Sequence, residues 1–148
     1  MATVVSVNIS QKKGERKTAV DSAAISPGHG IVSDAHAGPG HRQVSLLGVE
    51  SIRKMQALGL EVGPGDFAEN LTTEGIDLVS LPLGTRVRIG ATVEVEVTQI
   101  GKECHDRCAI YYQAGDCVMP REGIFVKVLE GGEVRAGDMI RLIEKGRG

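Results

Sequence analysis

The chain has 148 residues, and its 17 Lys and Arg against 19 Asp and Glu give a formal net charge of −2 at pH 7. This length suits one domain, residues 1–148, large enough to bury about two-thirds of the surface that its unfolded form would expose. The chain lacks the excess of Lys and Arg that neutralises a phosphate backbone, and two Tyr, two Phe and no Trp give no platform for stacking bases. We therefore expect no nucleic acid partner.

The chain begins with a strand pattern followed by a long loop. Val5, Val7 and Ile9 alternate with polar residues, which predicts a half-buried strand, and residues 18–25 could pair with it. Residues 26–42 contain four Gly, two Pro and three of the four His. Neither helix nor strand favours that composition, so we interpret this segment as a functional loop.

The main helix is predicted after this loop. Val49, Ile52 and Met55 recur at three-residue spacing, which is typical of one face of a helix. Ser45 could cap its start, and Gly59 supplies a stop.

The second half of the chain predicts strands and turns. A turn at residues 63–66 precedes a predicted strand at 67–72, and residues 86–97 alternate Val or Ile with Arg and then Glu, which predicts a hairpin with opposite charges across one face. Residues 124–129 and 139–143 predict two further strands. Roughly seven short strands with 20 Gly to form corners favour a mainly β barrel or sandwich with one principal helix.

The sequence predicts a cytoplasmic protein. No apolar run approaches the roughly 20 residues that cross a bilayer, and the N-terminus lacks the basic segment of a signal peptide. We therefore expect no membrane contact. Three cysteines in the cytosol stay reduced, which favours thiol or metal chemistry over a disulfide framework.

Residues 101–110, Gly-Lys-Glu-Cys-His-Asp-Arg-Cys-Ala-Ile, concentrate the residues best suited to chemistry. Cys104 and Cys108 are four positions apart and share a face in either a helix or an extended segment. A thiolate is needed for reactivity, and the neighbouring charges both support and oppose it. The pattern therefore permits an activated thiol, but also idle thiols buried in a turn, as free Cys is among the most buried residue types.

A zinc site is a further alternative for the same stretch. Cys-x3-Cys lies within ligand spacing, and Cys117 or His105 could contribute. A closed structural site needs four ligands, however, and the sequence offers no second tight pair of Cys or His. Structural zinc is therefore less favoured than thiol chemistry.

Two other groups of residues could line a binding site. In the loop, His36, His41 and Arg42 could hold a phosphate or an oxyanion. The alternative is that Asp34 and His36 satisfy backbone groups of the loop. Asn70 could donate and accept hydrogen bonds in a pocket, or it could be a turn residue.

Five segments in order carry a resemblance to a known family. They are Gly30-Ile-Val-Ser-Asp-Ala-His-Ala-Gly38, Arg42-Gln-Val-Ser-Leu-Leu47, Gly65-Asp-Phe-Ala-Glu-Asn-Leu71, Leu83-Gly-Thr-Arg-Val-Arg-Ile-Gly90 and Gly101-Lys-Glu-Cys-His-Asp-Arg-Cys108. Together they resemble the MOSC domain, the molybdenum-cofactor sulfurase C-terminal domain, in its short free-standing form. The resemblance covers nearly the whole chain.

The resemblance implies a fold and a set of site residues. The fold would be a compact, mainly β barrel like the barrel domain of pyruvate kinase, with one main helix and a few short helical segments. In related amidoxime-reducing proteins the Cys of an Arg-Cys pair ligates molybdenum, so that role carries over to Cys108, with Cys104 as a possible resolving thiol. The residues that would surround this thiol and its ligand are Asp34, His36, Arg42, Asn70, Lys102 and Arg107.

The resemblance also implies what the protein does. The leading hypothesis is a sulfur carrier or molybdenum cofactor-binding module in cofactor assembly, which works through the thiolate or persulfide of Cys108. Its partners would be a cysteine desulfurase, which would hold the pyridoxal phosphate, or proteins of molybdenum cofactor biosynthesis. The alternatives are a molybdenum-dependent reductase component for N-hydroxylated bases, served by a flavin or iron–sulfur electron donor, and a non-catalytic interaction module. Whether the chain is itself an enzyme stays open.

Overall fold

The computed structural model describes residues 2–11, 17–34, 37–40, 43–59, 61–67, 69–100 and 123–147. These residues form strands, one α-helix and one short 3-10 helix. The helix α1 spans Val49–Ala57 and the 3-10 helix spans Leu78–Ser80. The strands are β1 (Ala2–Ile9), β2 (Thr18–Val20), β3 (Ser22–Ser26), β4 (Gly30–Ile31), β5 (Val44–Gly48), β6 (Leu71–Glu74), β7 (Arg86–Ile89), β8 (Val93–Ile100), β9 (Ile124–Glu130), β10 (Gly132–Arg135) and β11 (Met139–Glu144).

Seven of these strands close into a barrel. Their order is β1-β6-β5-β9-β8-β7-β11, and β11 pairs back with β1. Neighbours in the barrel are antiparallel except for the parallel pair β5 and β6. Strand β2 pairs with the end of β1, and β10, β3 and β4 form a separate three-stranded sheet. The prediction of a mainly β barrel with one main helix is confirmed.

The alternating pattern of β7 and β8 produces the predicted hairpin. The valines of β8 are buried and the glutamates between them are partly exposed. The register sets Arg86 opposite Glu96 and Arg88 opposite Glu94, with nitrogen–oxygen distances of 3.6 and 3.5 Å. Exposed ion pairs of this kind contribute about 0.2–1 kcal/mol each, so the buried valines stabilise the hairpin more than the charges do.

Helix α1 packs on the outside of the barrel. Ile52 and Met55, from its buried face, join Leu47, Phe67 and Phe125 in a small apolar cluster separate from the barrel core. Among the described residues, no helix combines the length and the apolar character that a membrane crossing requires.

The predicted start of this helix is wrong. Ser45 lies in β5, and Gly48 occupies the position before the first helical residue, with no side-chain cap bond. Every residue of β5 is buried, so the strand carries apolar side chains on both faces and its pattern continues into that of the helix. The predicted stop is confirmed, because Gly59 has a φ of +92° and its N–H bonds to the Gln56 carbonyl at 2.9 Å.

The strand predicted at residues 67–72 also differs from the structure. The chain turns through Phe67, and β6 begins only at Leu71. The cause is the carboxylate of Glu69, which accepts hydrogen bonds from the backbone N–H groups of Gly65 and Phe67 at 3.0 and 3.3 Å. Those groups are therefore bound to a side chain rather than to a neighbouring strand.

The segment predicted to pair with β1 splits in two. Residues Thr18–Val20 pair with Val7–Ile9 as expected. After Asp21 the chain joins the other sheet, where β3 lies between β10 and β4.

Candidate functional site

Two of the predicted site residues, Asp34 and Asn70, lie within the described part of the chain. The cysteine segment, residues 101–110, lies outside the described residues, as do the other predicted site residues, and their roles stay predictions. The residues concerned are His36, His41, Arg42, Lys102, Cys104, His105, Arg107, Cys108 and Cys117.

The strand ends that flank the cysteine segment can be placed relative to Asn70. Strand β8 ends at Ile100 and β9 begins at Ile124, and these two residues are opposite each other. Ile124 also lies opposite Leu46, which in turn lies opposite Leu71, the residue after Asn70. Two strand spacings, or about 10 Å, therefore separate Ile124 from Leu71.

Asn70 joins three segments through its hydrogen bonds. Its Oδ1 accepts from the backbone N–H of Ser45 at 3.0 Å and from the Ser45 hydroxyl at 3.2 Å, and its Nδ2 donates to the Asn8 carbonyl at 3.3 Å. The backbone groups pair too, because the Asn8 N–H donates to the Asn70 carbonyl at 2.7 Å. Asn70 is 1% exposed, so this arrangement fixes β1 and β5 against the start of β6.

Asn8 continues this buried network along β1. Its Nδ2 donates to the Glu69 carbonyl at 3.3 Å and to the Thr72 hydroxyl at 3.1 Å, and its Oδ1 accepts from the Ser6 hydroxyl at 2.7 Å. The Thr72 hydroxyl donates in turn to the Glu69 carboxylate at 2.6 Å. Buried polar groups of this kind are stable only when they are hydrogen-bonded. The two bonds that Asn8 Nδ2 donates join β1 to a segment more than 60 residues away, whereas the bonds that the Ser6 and Thr72 hydroxyls donate are local.

Glu69 is a fully buried carboxyl group that the sequence interpretation did not single out. Burial raises the pKa of Glu69 above its usual range, because the charged form loses its hydration. The hydrogen bonds from Gly65, Thr72 and Phe67 act in the opposite direction and lower the pKa, but burial has the larger effect.

This raised pKa predicts how stability depends on pH. A carboxyl group with a raised pKa in the folded state stabilises the fold when it is protonated, so its contribution is full below the unfolded pKa of about 4.3. That contribution is lost as the pH rises through the folded pKa. We therefore expect the free energy of unfolding of the wild type, minus that of Glu69→Gln, to fall with rising pH and then to level off.

Urea unfolding of both proteins from about pH 4 to about pH 8 measures this difference. The Gln variant serves as the control because its side chain does not titrate, while all other groups are unchanged. A difference that rises with pH would show that hydrogen bonding, and not burial, dominates the pKa of Glu69.

Asp34 is held by a buried lysine. The Lys17 ammonium lies 2.7 Å from Asp34 Oδ1 and 3.1 Å from the Ser10 hydroxyl, and the Ser10 N–H donates to the same Asp34 oxygen at 3.0 Å. The two charged side chains are 0% and 1% exposed. Neither a lysine nor an aspartate is commonly buried this far without a partner of opposite charge, so the pair is a structural unit.

No metal site is formed by the described side chains alone. They contain no group of three or more His, Cys, Asp or Glu residues that could hold a metal ion. Asp34 and Asn70 carry hydrogen bonds to protein partners and fit the role of a rigid frame better than that of metal ligands. A soft metal centre would need a thiolate such as the one predicted at Cys108.

A cavity of about 320 Å³ lies elsewhere on the molecule. It is formed between the start of α1 and residues 75–79, with Glu50, Ser51 and Lys54 in its wall. Neither Asp34 nor Asn70, the two predicted site residues that the structure describes, lines it, so we do not assign the predicted chemistry to it.

Two residues of this region escaped the sequence interpretation. Glu69 left a signal, because it lies in the apolar segment Phe67-Ala-Glu-Asn-Leu71, where a charged residue has to be buried with partners. Lys17 left none, because it ends a polar connection rich in Lys, and only the tertiary fold brings it to Asp34.

Solved structures show the same fold. The crystal structure of APC1665, the YUAD protein from Bacillus subtilis, matches with a TM-score of 0.76 and 20% identity over 98% of this chain and 97% of that one. YiiM from Geobacillus stearothermophilus matches with a TM-score of 0.75 and 21% identity over 100% of this chain and 78% of that one. YiiM from Escherichia coli matches with a TM-score of 0.71 and 19% identity, over 100% and 72%. At these identities the similarity shows the fold alone.

The sequence comparison adds the family. No curated protein sequence matches this chain significantly. The model of the MOSC domain matches residues 33–141, which is most of the chain and includes Asp34, Asn70 and Cys108. The chain therefore belongs to the MOSC domain family.

Proposed function

We propose that this protein is a sulfur carrier or a molybdenum cofactor-binding module in cofactor assembly, with Cys108 as its working thiol. The observation that carries the proposal is the family match over residues 33–141, which includes Cys108 together with the two described residues of the predicted pocket. The position of Asn70 supports it, because Leu71, the next residue, lies about two strand spacings from the start of β9, which flanks the cysteine segment.

The sulfur transfer is a thiol exchange that needs no external oxidant. The Cys108 thiolate attacks the terminal sulfur of a persulfide on a cysteine desulfurase. A new sulfur–sulfur bond forms on Cys108, the desulfurase S–S bond breaks, and the desulfurase cysteine leaves as its thiolate. The pyridoxal phosphate belongs to the desulfurase. Lys102 and Arg107 would favour the thiolate of Cys108 through their positive charge.

The same thiolate suits the molybdenum cofactor. Thiolate is a soft ligand, and it would hold molybdenum at Cys108, where the bound cofactor would supply redox chemistry. His36, Arg42 and Lys102 would bind the phosphate of the pterin through charge-assisted hydrogen bonds. Asp34 and Asn70 would fix the segments that carry these residues.

Loading of Cys108 provides the test. The purified protein is incubated either with a cysteine desulfurase and cysteine or with molybdenum cofactor, and native mass spectrometry under non-reducing conditions is followed by peptide mapping. We expect one added sulfur or one molybdopterin in the wild type, and complete loss of that adduct in Cys108→Ser. A bare mass in every condition, or full loading of Cys108→Ser, would contradict the proposal.

Two matched variants serve as controls in the same experiment. Cys117→Ser removes a thiol outside the Cys-x3-Cys pair and should load like the wild type. Cys104→Ser should load as well, but its persulfide should persist longer if Cys104 resolves it as a disulfide.

A further inference from the structure

The buried Lys17 contacts two loops of the candidate site, each of which the structure describes in part. Its side chain is 0% exposed and contacts Asp34, which begins the first loop, residues 34–38. Its backbone contacts Gly65, which begins the second, residues 65–70. We propose that Lys17 is a positioning residue that fixes these two loops relative to each other. The expected effect of this positioning on cargo loading rests on the proposed function.

The contact with the second loop is close. The Lys17 N–H donates to the Gly65 carbonyl at 2.8 Å, and a Cβ placed on Gly65 would lie only 2.3 Å from the Lys17 carbonyl oxygen. The Gly65 N–H donates to Glu69, whose neighbour Asn70 joins β1 and β5. A displacement of Lys17 is therefore transmitted to the turn that contains Glu69 and Asn70.

The contact with the first loop passes through the Asp34 carboxylate. The Asp34 carbonyl accepts from the Ala37 N–H at 3.2 Å, and the Gly38 N–H donates to the His29 carbonyl at 2.8 Å. The position of Asp34 thus determines where this loop begins its turn. The predicted phosphate-binding residues His36 and Arg42 lie in or just after the same loop in the sequence.

Charge gives Lys17 a second part in this arrangement. The carboxylate of Asp34 would repel an anionic cargo bound nearby, and the Lys17 ammonium 2.7 Å away offsets that charge. Lys17 precedes the residues matched by the family model, which begin at Ser33, so the family match does not assign it this role.

Hydrogen exchange tests the connection without reference to any cargo. In the wild type under native conditions, the amides of Ala37 and Gly65 should exchange through one shared opening, with the same dependence on denaturant. Lys17→Met keeps the side-chain length but removes the charge. In this variant both amides should exchange about tenfold faster than the loss of global stability alone explains, because a lost hydrogen bond to a charged group corresponds to at least that factor.

Ile89→Ala is the matched control for this measurement. Ile89 is a fully buried core residue of β7, a strand that pairs with β8 and β11 and not with either loop. Its loss should speed exchange only through global unfolding. Independent openings of Ala37 and Gly65 in the wild type would overturn the proposal even if Lys17→Met fails to fold.

Cargo loading then tests the functional consequence. The cargo used is the one that the wild type accepts, either persulfide sulfur or molybdenum cofactor. We expect folded Lys17→Met to bind it about tenfold more weakly than the wild type, while folded Ile89→Ala binds it normally. Equal loading by the two variants would overturn the positioning role. If the wild type accepts neither cargo, the proposed function fails, and the exchange experiment still decides whether Lys17 connects the loops.

Discussion

Replacing Gly65 with Ala is expected to destabilise the protein by at least about 3 kcal/mol, the sum of backbone strain and disrupted buried hydrogen bonds. Gly65 has a φ of +90°, and the new Cβ would lie 2.3 Å from the carbonyl oxygen of Lys17 and 3.3 Å from Cγ of Asn8. Because the first of these atoms belongs to the backbone, the contact can be relieved only by moving the chain. That movement lengthens and weakens the hydrogen bond from the Lys17 N–H to the Gly65 carbonyl.

Gly59→Ala is the matched control for this prediction. Gly59 has nearly the same φ, +92°, but nothing lies within 4 Å of the position of its Cβ. It should therefore show only the cost of the unusual backbone conformation, about 1–2 kcal/mol. Urea unfolding of both variants measures the two losses in free energy of unfolding. Equal losses would show that the close approach of Gly65 to Lys17 does not affect stability.

Asn70→Ala is the second change with a large expected effect. It removes the acceptor of the buried Ser45 N–H and the donor to the Asn8 carbonyl. Each buried group left without a partner costs about 1–3 kcal/mol, so we expect a loss near 3 kcal/mol in the free energy of unfolding.

A double-mutant cycle with Ser45→Ala isolates this interaction. The Ser45 hydroxyl lies 3.2 Å from Asn70 Oδ1 and accepts from the Asn70 N–H at 3.0 Å, so the two losses should not add. We expect the double variant to be more stable than the sum of the single effects predicts, by about 0.5 kcal/mol or more. Strict additivity would show that this contact contributes nothing to stability. Cargo loading of Asn70→Ala and of the wild type should therefore be compared under conditions in which both proteins are folded to the same fraction.

The barrel was predictable because its strands carry a simple pattern. Val93, Val95 and Val97 alternate with charged or polar residues, and the structure places all three in the core. The start of α1 was not predictable in the same way. Strand β5 is buried on both faces, so the alternation that would separate it from the helix is missing, and Ser45 bonds Asn70 instead of capping the helix.

The candidate site, like the fold, was predictable only in part. Asp34 and Asn70 could be singled out because short motifs around them resemble those of a known family. Their actual partners could not, because Lys17 and Asp34 are 17 positions apart and Asn8 and Asn70 are 62 apart, and only the tertiary fold brings each pair together. Likewise, Glu69 interrupts a predicted strand by binding the backbone of its own turn, an effect that strand propensity does not include.

The barrel is closed between its first strand and its last. Ala2 lies opposite Ile140 and Thr3 opposite Met139, and the Val4 N–H donates to the Asp138 carbonyl at 2.8 Å. During synthesis, β1 therefore has to wait for β11 to leave the ribosome before the barrel can close. Pairings so distant in sequence slow folding, because the entropy of a long loop is lost before the contact forms. The edge of β1 that β11 will occupy is open to non-native pairing during that interval, so this protein should depend on chaperones most before β11 has emerged.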